Sequence, residues 1–172
     1  MARNIFLIGF MGCGKSSVAE AMESRYGMKR IEMDQIIVEQ NQMAISDIFK
    51  LYGEEHFRDL ESALLEEVQM KENQVVSCGG GVVLRKKNVD IMRQNGIIIL
   101  LTASPETILK RVENDVSRPV LEGKKTIQGI ADLMETRREK YEMAADVTIH
   151  TDEKSIAQIC EEIQEKMRRI GE

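Results

Sequence analysis

The 172-residue sequence has no tryptophan, two prolines, two histidines and three cysteines. The three cysteines lack the paired spacing of zinc ligands, so the sequence predicts neither a disulfide framework nor a structural zinc site. Two histidines are too few for a histidine-based metal centre. We therefore interpret His56 and His150 as ordinary surface or partly buried residues.

Long apolar runs and long blocks of one charge are absent as well. No stretch approaches the roughly 18 apolar residues that a membrane-spanning helix needs, and a strand pattern beginning at Asn4 leaves no room for a removable signal peptide. The net charge of −5 is spread along the chain, which disfavours nucleic acid as the main partner. We expect a cytoplasmic protein with neither a membrane nor a nucleic acid as its partner.

The length and the hydrophobic content of 42% are typical of one globular domain with a full core. We therefore expect a single domain over residues 1–172. Strand-type apolar runs and helical patterns alternate along it. Strands are predicted at 4–8, 28–33, 74–78, 97–102 and 147–150, and helices at 15–26, 35–52, 54–70, 87–95, 105–112, 126–144 and near the C-terminus. This alternation predicts an α/β fold with a parallel sheet that is covered on both faces.

Residues 9–16 read Gly-Phe-Met-Gly-Cys-Gly-Lys-Ser and stand between the first strand and the first helix. This is the spacing and the context of a phosphate-binding P-loop. Glycines at 9, 12 and 14 allow tight turns that aim successive N–H groups inward, at the N-terminus of a helix. The segment predicts a site for a nucleoside triphosphate.

Each residue of this loop has an expected task. Gly12, Cys13 and Gly14 contribute backbone to the anion nest, and Ser17 supports the start of the helix. Lys15 would reach the β- and γ-phosphates, and the Ser16 hydroxyl would ligate the Mg²⁺ ion that bridges them. ATP and Mg²⁺ are therefore the expected cofactors.

Two further features concern the ligand site. Residues 113–125 are polar and rich in turn-forming types, which predicts a mobile loop over the site. The carboxyl ends of parallel strands lie at one edge of a sheet, so Gly9, Asp34, Gly79 and Thr102 should meet there.

Five motifs follow the P-loop in order: Asp34, Phe57-Arg58-x-x-Glu61, Gly79-Gly80-Gly81, Arg118-Pro119 and Arg137-x-x-x-Tyr141. Together they closely resemble shikimate kinase over almost the whole chain. The resemblance implies a three-layer P-loop kinase fold with a five-stranded parallel sheet, a helical shikimate-binding region at 33–61 and a lid at 113–125. It also implies a monomer that transfers the γ-phosphate of ATP to the 3-hydroxyl of shikimate, in aromatic amino-acid biosynthesis.

The resemblance assigns roles in the acceptor site. Arg58 and Arg137 match the family's carboxylate-binding pair, and Glu61 shares a helix face with Arg58. Asp34 matches the aspartate that binds the ring hydroxyls and takes or orients the proton of the 3-hydroxyl. The alternatives are a solvated surface ion pair for Arg58 and Glu61, and a helix N-cap before Gln35 for Asp34.

The resemblance also assigns Gly79, Gly80 and Gly81 to the lining of the substrate site, with a bare turn as the alternative. Phe49 and Phe57 form either an apolar wall against the ring or ordinary core.

Three assignments concern the nucleotide and the metal. Arg118 matches a lid arginine that closes onto the transferring phosphoryl group. Arg111 aligns with a position near the nucleotide, although an exposed helix cation is the alternative. Glu32 stands where the family usually has an aspartate, and we expect its carboxylate to hold a water of the Mg²⁺ shell.

Two other functions fit a P-loop in a chain of this size. One is a small kinase acting on a nucleoside monophosphate or on gluconate, against which the paired arginines and the triple glycine argue. The other is a guanine-nucleotide switch, which ordinarily carries an Asn-Lys-x-Asp motif that this sequence lacks.

Overall fold

The computed structural model describes residues 3–113 and 123–171. In this part of the chain there are five strands, which are β1 (Asn4–Ile8), β2 (Lys29–Glu32), β3 (Gln74–Ser77), β4 (Gly96–Thr102) and β5 (Val147–His150). They form one sheet in the order β2-β3-β1-β4-β5, and every neighbouring pair is parallel. The predicted α/β class and the five-stranded parallel sheet are confirmed.

The same residues form eight α-helices and one short 3₁₀ turn at Val82–Leu84. The helices are α1 (Lys15–Tyr26), α2 (Met33–Asn41), α3 (Ile45–Tyr52), α4 (Glu54–Val68), α5 (Lys86–Asn95), α6 (Pro105–Val112), α7 (Ile127–Ala144) and α8 (Ile156–Gly171). Right-handed crossovers that run in opposite directions along a sheet lie on opposite faces. The order of the strands therefore places α1 on one face and α4, α5 and α7 on the other.

The centre of the sheet is the core of the molecule. All five residues of β1 are buried, and the inner residues of β4 are buried as well, since helices cover both faces of these strands. Continuous apolar runs such as 97–101 are what a doubly covered parallel strand requires. The core therefore fixes the carboxyl ends of β1 and β4, after which the P-loop and α6 begin.

The predicted helix ends are largely confirmed. Gly27 ends α1 in the left-handed conformation, with φ of 66°. Ser104 caps α6 by accepting a hydrogen bond from the Thr107 N–H, with Pro105 at the first helical position. Thr126 caps α7 in the same way, through the Gly129 N–H.

Three local predictions differ from the structure. Residues 35–52 do not form one helix, because α2 ends at Asn41 and α3 begins at Ile45. Strand β2 ends at Glu32 and α2 begins at Met33, without an intervening loop, so Asp34 lies in the first helical turn. The N-cap position belongs to Glu32, and the interpretation of Asp34 as an N-cap is wrong. The 3₁₀ turn at Val82–Leu84 was not predicted, because three residues are too few to show a helical period.

None of the helices within the described ranges has both the length and the apolar content that a membrane span requires. His56 and His150 are both exposed, as expected.

Candidate active site

The P-loop turns out of β1 through glycines whose backbone other residues adopt only with strain. Gly9, Gly12 and Gly14 have φ values of 144°, 79° and 98°. A side chain at Gly9 would also place its Cβ 2.4 Å from the Leu101 carbonyl oxygen. Because α1 begins at Lys15, the loop presents its backbone at a helix N-terminus, where N–H groups lack intrahelical partners.

Lys15 lies against the inside of this loop. Its ammonium group donates hydrogen bonds to the carbonyl oxygens of Gly9, at 2.7 Å, and Phe10, at 3.2 Å. The side chain is buried, and Lys15 also lines the large cavity above the loop. A cation held by two neutral carbonyls is available to an anionic ligand, which offers a stronger, charge-assisted bond.

Cys13 is placed differently from the other loop residues. Its backbone N–H donates to the Phe10 carbonyl at 3.2 Å, and its side chain is buried. The residue lines a second, mostly apolar cavity of about 390 Å³, together with Tyr141 and other residues of α7. In this structure its N–H is donated to Phe10 and its sulfur accepts a 3.8 Å hydrogen bond from the Lys15 ammonium group, so the expected contribution of Cys13 to the nest stays a prediction.

The main cavity lies at the carboxyl edge of the sheet and has a volume of about 850 Å³. Its lining includes Gly12, Gly14, Ser17, Asp34 and Gly80. Such a volume is in the range of small-ligand sites. The edge at which the sequence places Gly9, Asp34 and Gly79 is thus the edge that carries the cavity.

Arg111 reaches the P-loop from the end of α6. Its Nη1 donates to the Gly12 carbonyl at 2.8 Å, and the residue lines the cavity. This guanidinium therefore bounds the cavity on the side of the P-loop rather than only facing solvent.

Ser16 and Glu32 meet at the floor of the cavity. The Ser16 hydroxyl donates to Glu32 Oε2 at 2.9 Å and lies 3.4 Å from the Ser77 hydroxyl. The other carboxylate oxygen, Oε1, is buried and accepts no hydrogen bond from the described residues. A hydroxyl, a carboxylate and a second hydroxyl are oxygen ligands of the kind that Mg²⁺ takes.

Within the described residues there is no cluster of three or more acidic, histidine or cysteine side chains that could hold a metal by itself. Mg²⁺ usually takes one or two protein ligands and completes its shell with phosphate oxygens and water. The pair of Ser16 and Glu32 fits that pattern.

On α4, Arg58 is held between two glutamates. Its Nη1 donates to Glu61 Oε1 at 2.7 Å, and its Nη2 donates to Glu54 Oε1 at 3.1 Å. The Arg58 side chain is 7% exposed and that of Glu61 is 0% exposed. The alternative of a solvated surface pair is therefore wrong.

Burial and charge act against each other in this pair. Burial raises the pKa of Glu61 above its usual value, although the charge and the hydrogen bond of Arg58 oppose that shift. For Arg58, burial lowers the pKa, but the charges and hydrogen bonds of Glu61 and Glu54 together outweigh it, so the pKa of Arg58 is raised. The hydrogen bond and the charge of Arg58 thus offset part of the cost of burying the Glu61 carboxylate.

The triple glycine packs directly against these charged groups. A Cβ at Gly79 would lie 2.5 Å from Glu61 Oε2 and 3.0 Å from Asp34 Oδ1, and one at Gly81 would lie 2.4 Å from Arg58 Nη1. The segment is therefore more than a bare turn. The absence of side chains lets Asp34, Arg58 and Glu61 approach the backbone that follows β3.

Gly80 links this cluster to the P-loop. A Cβ at Gly80 would lie 3.4 Å from Arg137 Nη1 and 3.8 Å from the Gly9 carbonyl oxygen. The buried hydroxyl of Tyr141 donates to the Gly80 carbonyl, and burial raises the pKa of Tyr141 to about 12, with Arg137 opposing the shift. Arg137 and Tyr141, one turn apart on α7, thus both face Gly80.

Phe49 and Phe57 pack against the same arginine. Their ring centroids are 5.0 Å apart, and the Arg58 guanidinium carbon lies 5.2 Å from the centroid of Phe57 and 6.0 Å from that of Phe49. Aromatic rings at such distances attract a guanidinium. These phenylalanines are therefore part of the support of Arg58 as well as of the apolar packing.

Residues near the site that the sequence did not point to are Glu54, Ser77 and the Gly80 carbonyl that Tyr141 binds. Arg118 and residues 114–122 of the expected lid lie outside the described residues, and their roles stay predictions.

A parallel sheet in the order 2-3-1-4-5, with a glycine-rich anion nest after its first strand and a cavity above it, is the fold of P-loop kinases. A family model described as shikimate kinase matches residues 11–168. The chain belongs to the shikimate kinase family, and it is an enzyme of the phosphotransferase class.

Individual relatives agree with this. The chain is 39% identical over 166 residues to a shikimate kinase of Dehalococcoides mccartyi, covering 96% of this chain and 94% of the relative. Its structure is similar to that of a shikimate kinase from Acinetobacter baumannii in complex with shikimate, with a TM-score of 0.93 and 28% identity, covering 98% of this chain and 94% of that one. The shikimate kinase of Aquifex aeolicus gives a TM-score of 0.82 at 30% identity, with 96% of each chain covered.

Proposed function

We propose that this protein transfers the γ-phosphoryl group of ATP to the 3-hydroxyl of shikimate, producing ADP and shikimate 3-phosphate for aromatic amino-acid biosynthesis. The observation that carries the proposal is the position of Gly80, which lies between the P-loop and the Arg137 guanidinium. An acceptor bound by its carboxylate on the arginine side would thus lie beside the phosphates of a nucleotide on the loop.

The nucleotide would bind along the P-loop. The backbone N–H groups of Gly12, Gly14, Ser16 and Ser17 are suited to the phosphates, because they lie in the nest and the first turn of α1. Lys15 would exchange its two carbonyl partners for β- and γ-phosphate oxygens. Arg111, which is hydrogen-bonded to the Gly12 carbonyl, would add a second positive charge beside the loop.

We further propose that Mg²⁺ is bound by the Ser16 hydroxyl, with Glu32 holding a water of its shell. The buried Glu32 Oε1, which lacks a partner among the described residues, supports this assignment. When bound there, the ion would offset the negative charge of the phosphates during transfer. Direct ligation by a single serine leaves most of the shell to phosphate and water, as is usual for Mg²⁺.

The acceptor's carboxylate would be bound by Arg58 and Arg137, both of which are buried. Glu61 holds the Arg58 guanidinium in place through the 2.7 Å hydrogen bond. The ring would rest beside Gly79, Gly80 and Gly81. There, the backbone offers polar groups at short range and no side chain takes up the space.

Asp34 would act on the attacking hydroxyl. As the acceptor's 3-oxygen bonds to the γ-phosphorus and the bond from that phosphorus to the bridging oxygen of ADP breaks, the hydroxyl proton passes to the Asp34 carboxylate. Its position beside Gly79, and in the lining of the cavity, supports this role. From its place in the sequence, Arg118 is proposed to stabilise the charge of the transferring group.

The test is a panel of acceptors assayed for nucleoside diphosphate release. Purified protein is given ATP or GTP with Mg²⁺ and, separately, shikimate, gluconate or a nucleoside monophosphate, and the site of phosphorylation is read by ³¹P NMR. We expect turnover with shikimate alone, at the 3-position. Lys15→Ala should abolish it, whereas Lys86→Ala, at an exposed lysine paired with Asp90, serves as the matched control. Phosphorylation of gluconate or a nucleotide in place of shikimate would contradict the proposal.

A further inference from the structure

The two carboxylates that hold Arg58 differ in their environment. Glu61 is fully buried and binds Nη1 at 2.7 Å, whereas the Glu54 side chain is 56% exposed and binds Nη2 at 3.1 Å. Releasing Glu54 to water therefore exposes a carboxylate that is already largely hydrated. Releasing Glu61 would leave a buried charge without a partner, which is far more costly. Glu54 is thus the partner that Arg58 can give up.

The geometry of a guanidinium makes Nη2 the important nitrogen. A carboxylate binds it in two parallel hydrogen bonds, either end-on to Nη1 and Nη2 or side-on to Nε and Nη2. Nη2 belongs to both forks, and one of its two N–H groups is donated to Glu54. The neighbouring Nε is buried and has no hydrogen-bond partner among the described residues.

The side-on fork therefore consists of one buried donor that lacks a partner and one donor held by an exposed carboxylate. An acceptor carboxylate that bound there would satisfy Nε, and it would compete with the Glu54 carboxylate for Nη2. An unsatisfied buried donor is destabilising, so satisfying Nε would favour this exchange.

The charges around the site favour the same exchange. Arg58 and Arg137 carry two formal positive charges, and Asp34, Glu54 and Glu61 carry three negative ones. A carboxylate substrate would bring the local formal charge from minus one to minus two. If Glu54 moves into water as the substrate binds, the local formal charge stays at minus one, and like charges are kept apart.

We propose that Glu54 is an exchangeable counter-ion of Arg58, which binds Nη2 in the empty site and yields it to the carboxylate of the acceptor. This inference rests on the proposed function, since it takes shikimate as the carboxylate that displaces Glu54. Glu54 is then a specificity-determining residue. A ligand without a carboxylate cannot replace the negative charge of Glu54. Such a ligand must therefore bind beside an Arg58 that is still paired with Glu54.

The test compares Glu54→Gln with Glu55→Gln. Both glutamates are in the first turn of α4, where a negative charge favours the helix, but Glu55 is paired with Arg85 instead of Arg58. Shikimate binding is measured by calorimetry, and KM and kcat are measured separately for shikimate and MgATP. The carboxamide of shikimate, a neutral analogue, is the second probe.

We expect Glu54→Gln to lower the Kd and the KM for shikimate by roughly threefold to tenfold. This is the range for an ion pair that has one exposed and one buried member. The KM for MgATP should change less than twofold, and the preference for shikimate over its carboxamide should fall, because the carboxamide no longer binds beside an Arg58 that is held by Glu54. Glu55→Gln should leave all of these values within twofold of wild type. Glu54→Ala should agree in direction with Glu54→Gln.

Three outcomes would count against the role of Glu54, against the proposed function, or against both. Equal or weaker shikimate binding by both Glu54 variants, with wild-type phosphorylation of shikimate intact, would overturn the role of Glu54 alone. Wild-type protein that binds shikimate without phosphorylating it would contradict the proposed function, and the comparison of variants would still decide the role of Glu54. Wild-type protein that binds no shikimate would overturn both.

Discussion

The Ser16 hydroxyl donates a 2.9 Å hydrogen bond to Glu32, which joins the first turn of α1 to the end of β2. Ser77 lies 3.4 Å from the same hydroxyl, because β2 and β3 pair in a register that sets Glu32 beside Ser77. Glu32 has one methylene more than the aspartate that the family usually carries here. Its carboxylate nevertheless reaches the residue that we propose as the Mg²⁺ ligand.

A first prediction concerns the metal requirement. Glu32→Ala should raise the Mg²⁺ concentration needed for half-maximal activity by roughly threefold to tenfold, because an outer-sphere carboxylate is lost. Glu32→Asp should be nearly neutral. Activity is titrated against free Mg²⁺ at saturating ATP and shikimate. Glu39→Ala, at an exposed carboxylate of α2, is the control. An unchanged requirement in Glu32→Ala would mean that Ser16 and ordered waters hold the metal unaided.

A second prediction concerns Asp34. Asp34→Asn keeps the shape of the side chain but removes its ability to take a proton, so turnover should fall by about 100-fold or more. The fold and much of the shikimate affinity should remain, because Asp34 lies in the first turn of α2 and neither caps it nor forms its core. Single-turnover kinetics and a shikimate titration would measure the two effects. Turnover close to wild type would remove Asp34 from the mechanism.

The strands, the P-loop and most helix ends could be predicted because each depends on a few consecutive residues. The pair of Arg58 and Glu61 could also be predicted, since residues three apart share a helix face. The same rule could have found Glu54, which lies four residues before Arg58. It was missed because an exposed glutamate in a first helical turn is ordinarily interpreted as a favourable charge at the helix terminus.

Other features depend on contacts between distant elements. Ser77 lies beside Ser16 only through the pairing of β2 with β3, and Gly80 meets Arg137 only because α7 packs against the turn that follows β3. The direction of the Cys13 side chain follows from backbone angles at the glycines that flank it, which a spacing pattern does not contain. The periodicity of a sequence describes one helix or strand at a time. Contacts between residues on different elements can therefore be identified only once the fold is known.

A third prediction separates the two arginines of the acceptor site. Arg137→Ala should weaken shikimate binding far more than ATP binding. Arg58→Ala should do the same and should also destabilise the protein by about 3–5 kcal/mol, because it leaves the Glu61 carboxylate buried without its partner. Arg58→Ala combined with Glu61→Ala should recover part of that stability. Urea unfolding and separate ligand titrations would measure these effects. Loss of ATP affinity with retained shikimate affinity in either arginine variant would show the assignment to be wrong.

The last prediction concerns Tyr141, whose buried hydroxyl donates to the Gly80 carbonyl. Burial raises its pKa from 10.0 to about 12, so between these values the unfolded chain loses a proton that the folded protein keeps. The contribution of Tyr141 to the free energy of unfolding is therefore full below pH 10 and falls as the pH rises toward 12.

The difference in unfolding free energy between wild type and Tyr141→Phe should thus be constant from pH 8 to pH 9.5. Above pH 10 it should shrink by up to about 1.4 kcal/mol per pH unit. Urea unfolding of both proteins at each pH gives this difference, in which the other titrating groups cancel. A pH-independent difference for Tyr141→Phe would mean that its hydroxyl is hydrated in solution and that Gly80 is positioned by the strand and by Arg137 alone.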